Sequence, residues 1–199
     1  EGVFVYDESG RRYVDLFNNV PCVGHCHPHF VKTVSSQLKT LNVHSRYLHQ
    51  SILDYADRLI STHHDSIESV IFSCTGTEAN EIALQMARLA TGGRGIICTD
   101  ATYHGNSAEV SKLTGAKSNQ GDVRSIRFPE TYRTDTEDPL NHHLRELQLV
   151  IESFREDGTP FAGMLVCPIL ANEGLPNIPK GYMAEAAKIV HQAGGVFIA

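Results

Sequence analysis

The alternation of apolar and polar positions predicts strands and helices in turn over most of the chain. Four short apolar runs are typical of strands buried on both faces of a parallel sheet, at residues 70–72, 95–99, 161–167 and 196–199. Between these runs, apolar residues recur at helical spacing over residues 75–90, 140–154 and 182–193. This order predicts a three-layer α/β fold, in which helices cover both faces of a parallel sheet.

The first 50 residues follow a different pattern. Two short apolar runs on either side of the turn Asp7-Glu8-Ser9-Gly10 predict a β-hairpin. Helical spacing follows at residues 29–41, with Pro28 ahead of it as the first helical residue, and at residues 51–61. We therefore predict a small N-terminal β/α segment at residues 1–50 and a larger sheet domain at residues 51–199.

The connection between the first predicted strand and its helix is a glycine between two hydroxyl residues, Thr75, Gly76 and Thr77. Thr75 and Glu78 have the spacing of a capping box, which marks a helix start. So short a turn leaves backbone N–H groups free at the positive end of the helix dipole, where a phosphate or carboxylate can bind. The same arrangement also occurs as a plain connection, so the pattern alone leaves an anion site and a structural turn as alternatives.

The bulk composition narrows the classes of function. The formal net charge is -6, whereas a nucleic-acid groove needs clustered Lys and Arg. No apolar run reaches the roughly 20 residues of a membrane span. The five cysteines are odd in number and scattered, as is typical of reduced thiols. This pattern predicts a cytoplasmic protein, with the mitochondrion as the alternative.

A histidine-rich turn near residues 24–29 raises the question of a metal site. His25, Cys26, His27 and His29 lie too close in sequence to converge easily on one ion, and no second cluster offers the remaining ligands. We therefore predict a structural turn and no metal.

Residues 75–81, Thr-Gly-Thr-Glu-Ala-Asn-Glu, are followed by an Ala-Arg pair at residues 87–88. Together these segments resemble the phosphate-binding segment of the class III aminotransferases, which are pyridoxal-phosphate enzymes of fold type I. The resemblance implies that Thr75, Gly76 and Thr77 hold the phosphate of the cofactor.

A second candidate follows the strand predicted at residues 95–99. Ligands of open α/β sheets gather at the carboxyl ends of strands, and an aromatic ring beside a glycine can lie flat on a planar cofactor there. Tyr103-His104-Gly105 resembles the family motif whose aromatic residue stacks on the pyridine ring. The resemblance assigns Tyr103 to the stack and His104 to the same cofactor site. A tyrosine that closes the edge of the core is the alternative.

Residues 18–28 resemble the family's N-terminal signature, whose constant part is Gly-His-x-His-Pro. The short stretch at residues 15–24 and the residues 41–49 resemble one branch in particular, the phospho-lyases that act on ethanolamine phosphate and phosphohydroxylysine. The resemblance places Asn19 in a loop that borders the substrate. We take Asn19 as a substrate-side candidate, with a turn-forming asparagine as the alternative.

Residues 167–174 depart from the family pattern Glu-Pro-x-Gln-Gly-x-x-Gly. Pro168 and Gly174 match that pattern, whereas Asn172 stands where several aminotransferases have a glutamate that gates a substrate-binding arginine. This departure puts ordinary ω-amino-acid specificity in doubt. We take Asn172 and the neighbouring Glu173 as substrate-side candidates, with plain solvent exposure as the alternative for Glu173.

The resemblance implies pyridoxal 5'-phosphate as the cofactor. This cofactor needs a phosphate site, a stacking ring, a carboxylate at the pyridine nitrogen and a lysine for the Schiff base. Residues 1–199 resemble the family at the first two, and the aspartate and lysine are expected beyond residue 199. We therefore assign no catalytic residue here and expect the chain to be the inactive N-terminal part of a longer protein.

The resemblance predicts an enzyme that transfers an amino group between an amino acid or amine and a 2-oxo acid. Two alternatives stay open: a pyridoxal-phosphate-dependent phospho-lyase acting on a phosphorylated amino alcohol, and a non-catalytic anion-binding module. Because fold type I enzymes are usually dimers, the full-length protein is expected to be a homodimer. Its expected partners are small molecules, and neither nucleic acid nor membrane.

Overall fold

The computed structural model describes residues 2–17, 22–44, 46–115 and 121–199. The chain divides into two compact units, Glu1–Val70 and Ile71–Ala199. The sequence places the domain boundary earlier, between residues 50 and 51, and that assignment of domains stays a prediction. Within the described ranges, no helix combines the length and the apolar character that a membrane span requires.

The first unit contains the predicted hairpin and two helices. Strands β1 (Phe4–Tyr6) and β2 (Arg12–Val14) pair antiparallel, with Phe4 opposite Val14. The turn between them is closed by Asp7, whose Oδ1 accepts hydrogen bonds from the backbone N–H groups of Ser9 and Arg11. Helices α1 (Pro28–Thr40) and α2 (Gln50–Ile60) follow, so the local patterns of this unit are confirmed to within a few residues.

The histidine-rich turn lies in this first unit. His25 Nε2 is 2.7 Å from Asp15 Oδ2, and the backbone of His25 forms a bridge with Gly2. In the described part of the chain, no group of three or more His, Cys, Asp or Glu side chains is arranged to hold a metal ion. The contacts of His25 are those of a side chain that fixes a turn.

The second unit is built on a four-stranded parallel sheet. Its elements are α3 (Gly76–Thr91), β3 (Gly95–Thr99), a short 3-10 helix (Val110–Lys112), β4 (Val123–Ile126), α4 (Pro139–Glu156), β5 (Phe161–Leu165), α5 (Tyr182–Gln192) and β6 (Val196–Ile198). The strand order is β4-β3-β5-β6, and all three pairs are parallel.

Apolar side chains cover both faces of this sheet. On one face, α4 and α5 pack Leu147, Phe154 and Val190 against Ile97 and Met164. On the other face, α3 and the 3-10 helix contribute the residues that meet Ile96, Cys98 and Leu165, among them Leu84 and Val110. Helices on both faces of a parallel sheet confirm the predicted three-layer α/β fold.

The strand predicted at residues 70–72 is wrong. Ile71 and Phe72 are exposed, and the segment forms no strand in the described structure. A strand is stable only when its backbone groups pair with a neighbour, and the four paired strands of the sheet do not include this segment. The apolar run is not helical, as predicted, but the described residues offer it no strand to pair with.

The positions of the loops follow from the strand order. The chain passes from β3 to β4 on one side, and then crosses to β5 on the other side of β3. The connections therefore diverge between β3 and β5. In open α/β sheets, ligands bind at such a switch point, in the crevice outside the carboxyl ends of the strands.

Candidate functional site

The first turn of α3 offers two free backbone N–H groups. Thr75 is the N-cap, and its side-chain oxygen accepts a hydrogen bond from the backbone N–H of Glu78 at 3.0 Å. The N–H groups of Gly76 and Thr77 form no hydrogen bond within the described ranges. These two amides lie at the positive end of a 16-residue helix, which is the arrangement that binds anions.

The capping arrangement differs in one respect from the predicted capping box. Glu78 Oε2 accepts hydrogen bonds from the backbone N–H of Cys74 at 2.7 Å and from its thiol at 2.8 Å, one residue before the N-cap. The hydrogen bond with the Cys74 thiol lowers the pKa of Glu78, and the same bond raises the pKa of Cys74. Cys74 is therefore held as a neutral thiol.

The loop that follows β3 reaches this helix start. Gly105 has a φ of 139°, and a Cβ atom placed on it would lie only 2.5 Å from Thr77 Oγ1. The side-chain amide of Asn80, one turn into α3, donates to the carbonyl of His104 at 2.7 Å. The structure thus brings together the two segments that the sequence singled out separately.

Tyr103 and His104 differ in their surroundings. The side chain of Tyr103 is half exposed, at 53%, and makes no ring contact or side-chain hydrogen bond within the described residues. His104 is buried, and its Nε2 lies 3.1 Å from Thr102 Oγ1. Desolvation lowers the pKa of His104 to about 4, so this imidazole is neutral near pH 7. The exposed ring of Tyr103 can contact a planar ligand, whereas the ring of His104 is buried and contacts Thr102 within the loop.

The two substrate-side candidates in the loop after β5 contact β3 and the loop that follows it. Asn172 donates from Nδ2 to the carbonyl of Tyr103 at 3.3 Å. Glu173 Oε1 accepts a hydrogen bond of 2.6 Å from the hydroxyl of Thr99, while Glu173 Oε2 is buried without a partner in the described part of the protein. Their role towards a substrate stays a prediction, and Asn19 lies outside the described residues.

A cleft of about 450 Å³ opens beside these contacts. Its walls come from the loops after β4 and β5, and include Phe128, Tyr132, Arg133, Glu173 and Leu175. Arg127 pairs with Glu130 at 3.0 Å on the same side, so much of the negative charge of Glu130 is compensated. The cleft joins aromatic walls to the exposed guanidinium of Arg133 and to the carboxylates of Glu130 and Glu173, so its lining carries charge of both signs.

Sequence reasoning missed the contacts that hold the loop after β3. Asn80 stands inside the segment that carries the family resemblance, but its partner is a backbone carbonyl 24 residues away. Thr114, which donates to the carbonyl of Gly105 at 3.1 Å, lies in a polar stretch without a recognisable motif. Such pairs depend on the fold and leave no periodic signal in the sequence.

The chain is similar in sequence to two groups of curated proteins. Over 206 aligned residues, it is 36% identical to the mitochondrial alanine–glyoxylate aminotransferase 2 homolog 2 of Arabidopsis thaliana, covering 98% of this chain and 42% of that protein. It is 34% identical over 122 residues to the ethanolamine-phosphate phospho-lyase homolog 1 of Caenorhabditis elegans, covering 61% of this chain and 26% of that protein. The chain therefore spans less than half the length of these curated relatives.

Solved structures agree with the observed fold. A phospholyase from Arthrobacter, in complex with phosphoethanolamine, superposes with a TM-score of 0.91 at 34% identity, over 100% of this chain and 49% of that one. The taurine:2-oxoglutarate aminotransferase of Bifidobacterium kashiwanohense, in complex with pyridoxal phosphate and glutamate, superposes with a TM-score of 0.84 at 23% identity, over 99% of this chain and 48% of that one. The second likeness supports the fold alone.

The sequence model of one family accounts for the whole chain. The model described as aminotransferase class-III matches residues 1–199. The enzymes of this family use pyridoxal phosphate, so the cofactor that the resemblance implied is confirmed as the cofactor of the family. The chain belongs to the class-III aminotransferases.

Proposed function

We propose that the full-length protein is a pyridoxal-phosphate-dependent aminotransferase that moves an amino group between an amino acid or amine and a 2-oxo acid. The observation that carries this proposal is the pair of free amides of Gly76 and Thr77 at a helix start where Thr77 lies against Gly105, in the loop that bears Tyr103. Family membership supports the same cofactor and reaction class.

The residues of this chain fit the two ends of the cofactor. A Cβ atom placed on Gly76 would meet no other atom within 4 Å, so the side-chain position of this residue, next to the free amides, is open. An anionic phosphate at this point would be stabilised by the amides and by the helix dipole. The exposed ring of Tyr103 supplies a flat apolar surface for the pyridine ring.

When bound, pyridoxal phosphate supplies an electron sink for the carbon that carries the amino group. The residues of this chain bind and orient it. Thr75 caps the helix and leaves the next two N–H groups for the phosphate, and Tyr103 fixes the plane of the ring. His104 stays neutral near pH 7, and its Nε2 lies within hydrogen-bond distance of Thr102. We assign the aspartate that meets the pyridine nitrogen and the lysine that forms the Schiff base to the sequence beyond residue 199.

A transamination assay tests the proposal. The full-length protein with pyridoxal phosphate is expected to convert a 2-oxo acid into the matching amino acid, with an amino donor such as alanine or glutamate. Protein stripped of its cofactor is the control, and activity should return when pyridoxal phosphate is added. A full-length protein that binds the cofactor but transfers no amino group to any 2-oxo acid would contradict the proposal.

A phospho-lyase that acts on a phosphorylated amino alcohol is the second candidate. Two observations favour it: the TM-score of 0.91 with the Arthrobacter phospholyase, and the 34% identity with the Caenorhabditis elegans relative. Asn172, in place of the glutamate seen in several aminotransferases, also departs from their pattern. The cleft beside Arg133 is large enough for a small phosphorylated amine.

One pair of measurements separates the two reactions. The phospho-lyase predicts release of inorganic phosphate from ethanolamine phosphate, with no need for a 2-oxo acid. The aminotransferase predicts that product formation requires the 2-oxo acid and releases no phosphate. A protein that binds pyridoxal phosphate but catalyses neither reaction would instead favour the non-catalytic anion-binding module.

The remaining expectations concern substrates, assembly and location. We propose that Asn172 and Glu173 border the substrate, together with Asn19. The expected partners are small amines, amino acids and 2-oxo acids, and a second copy of the full-length chain. The name of the Arabidopsis relative assigns that protein to mitochondria, so the mitochondrion stands beside the cytoplasm as a proposed location.

A further inference from the structure

Four consecutive carbonyl groups in the loop after β3 are each held by a separate donor. The carbonyl of Thr102 accepts from the backbone N–H of Gly115 at 3.0 Å, and that of Gly105 accepts from Thr114 Oγ1 at 3.1 Å. The two carbonyls between them accept from asparagine amides, Asn172 Nδ2 on Tyr103 and Asn80 Nδ2 on His104. The backbone around Tyr103 is therefore fixed on both sides of its Cα atom.

These donors come from three parts of the chain. Asn80 belongs to α3, whose first turn carries the free amides, and its bond of 2.7 Å is partly buried. Asn172 belongs to the loop after β5, on the far side of the switch point. Its neighbour Glu173 is anchored to the end of β3 through Thr99 at 2.6 Å, which fixes the segment that carries Asn172. The loop with Tyr103 is thus connected to both walls of the crevice.

The ring of Tyr103 is only partly supported by its surroundings. It is half exposed, and its hydroxyl has no hydrogen bond within the described residues, so the phenol does not fix the direction of the ring. The orientation of the Cα–Cβ bond, which the backbone sets, decides where the ring can point. The asparagines that hold the two carbonyls therefore control the plane that the ring offers to a ligand.

We propose that Asn80 and Asn172 are positioning residues that orient the ring of Tyr103 for stacking on the cofactor. This inference rests on the proposed function, because it needs the cofactor ring at Tyr103. It also explains why an asparagine occupies position 172. A side chain at this position must donate a hydrogen bond to a carbonyl oxygen, which an amide does and a carboxylate does not. A glutamate or aspartate there would face the carbonyl of Tyr103 with negative charge.

Amide-to-acid substitutions test this role with little change of shape. In the full-length protein, Asn80→Asp is expected to raise the Kd for pyridoxal phosphate roughly three- to tenfold, the loss typical of one partly buried hydrogen bond. Asn172→Asp, at an exposed and longer bond, is expected to raise it about twofold. Gln85→Glu is the matched control: it lies on α3, is exposed and makes no side-chain hydrogen bond in the described residues.

The decisive comparison repeats Asn80→Asp in a Tyr103→Ala background. If Asn80 acts through the ring, its substitution changes the Kd far less once the ring is gone. The visible circular dichroism of the bound cofactor, which reports the geometry of the stack, should change in Asn80→Asp and Asn172→Asp but not in Gln85→Glu. A urea unfolding titration without cofactor shows whether Asn80→Asp folds. If it does not fold, Asn172→Asp still tests whether the asparagine amides position the ring.

The failures can be told apart. A full-length protein that binds pyridoxal phosphate less tightly after Tyr103→Ala, but equally well after both asparagine substitutions, overturns the positioning role and leaves the proposed function intact. An equal effect of Asn80→Asp with and without the ring also overturns it. A protein that binds no pyridoxal phosphate at all overturns the proposed function, and the inference with it.

Discussion

At the scale of single residues, the first turn of α3 has an open side-chain position at Gly76 and two backbone N–H groups without a hydrogen-bond acceptor in the described structure. Gly76 follows the N-cap Thr75, and a Cβ atom placed on Gly76 would meet no other atom within 4 Å. The carboxylate of Glu78 accepts hydrogen bonds from the backbone N–H and the thiol of Cys74. A substitution at Gly76 can therefore change the charge of the site while the helix stays intact.

Gly76→Asp is expected to weaken pyridoxal phosphate binding by the full-length protein at least about tenfold, since a carboxylate would repel the phosphate at short range. Gly76→Ala adds only a methyl group in open space and should leave the Kd within about twofold. Fluorescence titration of the two variants measures the difference. Equal affinities for the aspartate and alanine variants would remove Gly76 from the phosphate site.

His104 makes the stability depend on pH. Burial holds its pKa at about 4, below the value of roughly 6.5 expected in the unfolded chain. The unfolded state binds the proton first, so the stabilisation is complete above about pH 6.5 and is lost as the pH falls towards about 4. Between pH 7 and pH 5, we expect this group to account for a loss of about 2 kcal/mol.

Urea unfolding of the protein and of His104→Gln at pH 7 and pH 5 measures this contribution. Above about pH 5, carboxylates such as Glu78 and Glu109, whose pKa values are lowered, stay ionised in the native state and add little to the slope. The variant should lose less stability between the two pH values than the parent protein. Parallel losses in both proteins would show that His104 is not the source.

The candidate site was only partly predictable at this scale. Thr75, Gly76, Thr77 and Tyr103 follow from a local turn, a capping residue and a glycine-flanked aromatic, all of which sequence displays directly. The burial of His104 and the donors on the loop carbonyls were not predictable, because they arise where α3 and the loop after β5 meet the end of β3. Whether the assigned residues bind the cofactor stays a prediction.

At the scale of elements, the pairing of β3, β5 and β6 depends on two irregularities. The register between β3 and β5 shifts at Gly95 and Ile96, so that Gly95 lies opposite Phe161 and Ile96 opposite Gly163. On the other side of β5, a Cβ atom placed on Gly163 would lie 2.2 Å from the backbone oxygen of Val196. The strand β5 can approach β6 only because this residue has no side chain.

Gly163→Ala is therefore expected to separate β5 from β6 and to destabilise the protein by about 2 kcal/mol, the cost of a backbone clash in a packed sheet. Gly76→Ala, which meets no atom within 4 Å, is the steric control. A urea titration of both variants gives the difference in unfolding free energy. An unchanged midpoint for Gly163→Ala would mean that the strands relax at no cost.

The helices were predicted better than the strands for a physical reason. A helix satisfies its own backbone, so the apolar spacing within residues 140–154 was enough to predict α4 (Pro139–Glu156). A strand needs a neighbour, which the sequence does not specify. Residues 70–72 are apolar but form no strand in the described structure, and the register shift between β3 and β5 has no sequence signal.

At the scale of the whole molecule, the first unit exposes large apolar side chains. Leu16, Phe17 and Leu48 are at least three-quarters exposed, with Leu16 at 90%. In the second unit, Leu89 on α3 is also almost fully exposed. Where such side chains form a patch, that surface is usually covered in the assembled protein.

The full-length protein is accordingly expected to sediment as a homodimer at micromolar concentration, whereas residues 1–199 alone should show concentration-dependent, non-specific association. Sedimentation velocity over a range of concentrations distinguishes a single dimeric species from a broad distribution. A full-length protein that stays monomeric at every concentration would remove the second copy from the proposed partners.

Cys98 lies in β3 with its side chain fully buried, and desolvation raises the pKa of its thiol to about 12. Because only the thiolate reacts with alkylating reagents, this cysteine is protected for as long as the strand stays closed. In a full-length variant that keeps Cys98 as its only thiol, the rate of alkylation would time the opening of the central strand. A ligand bound at the end of that strand should slow the alkylation of Cys98. The thiol can therefore report occupancy of the site without any assay of turnover.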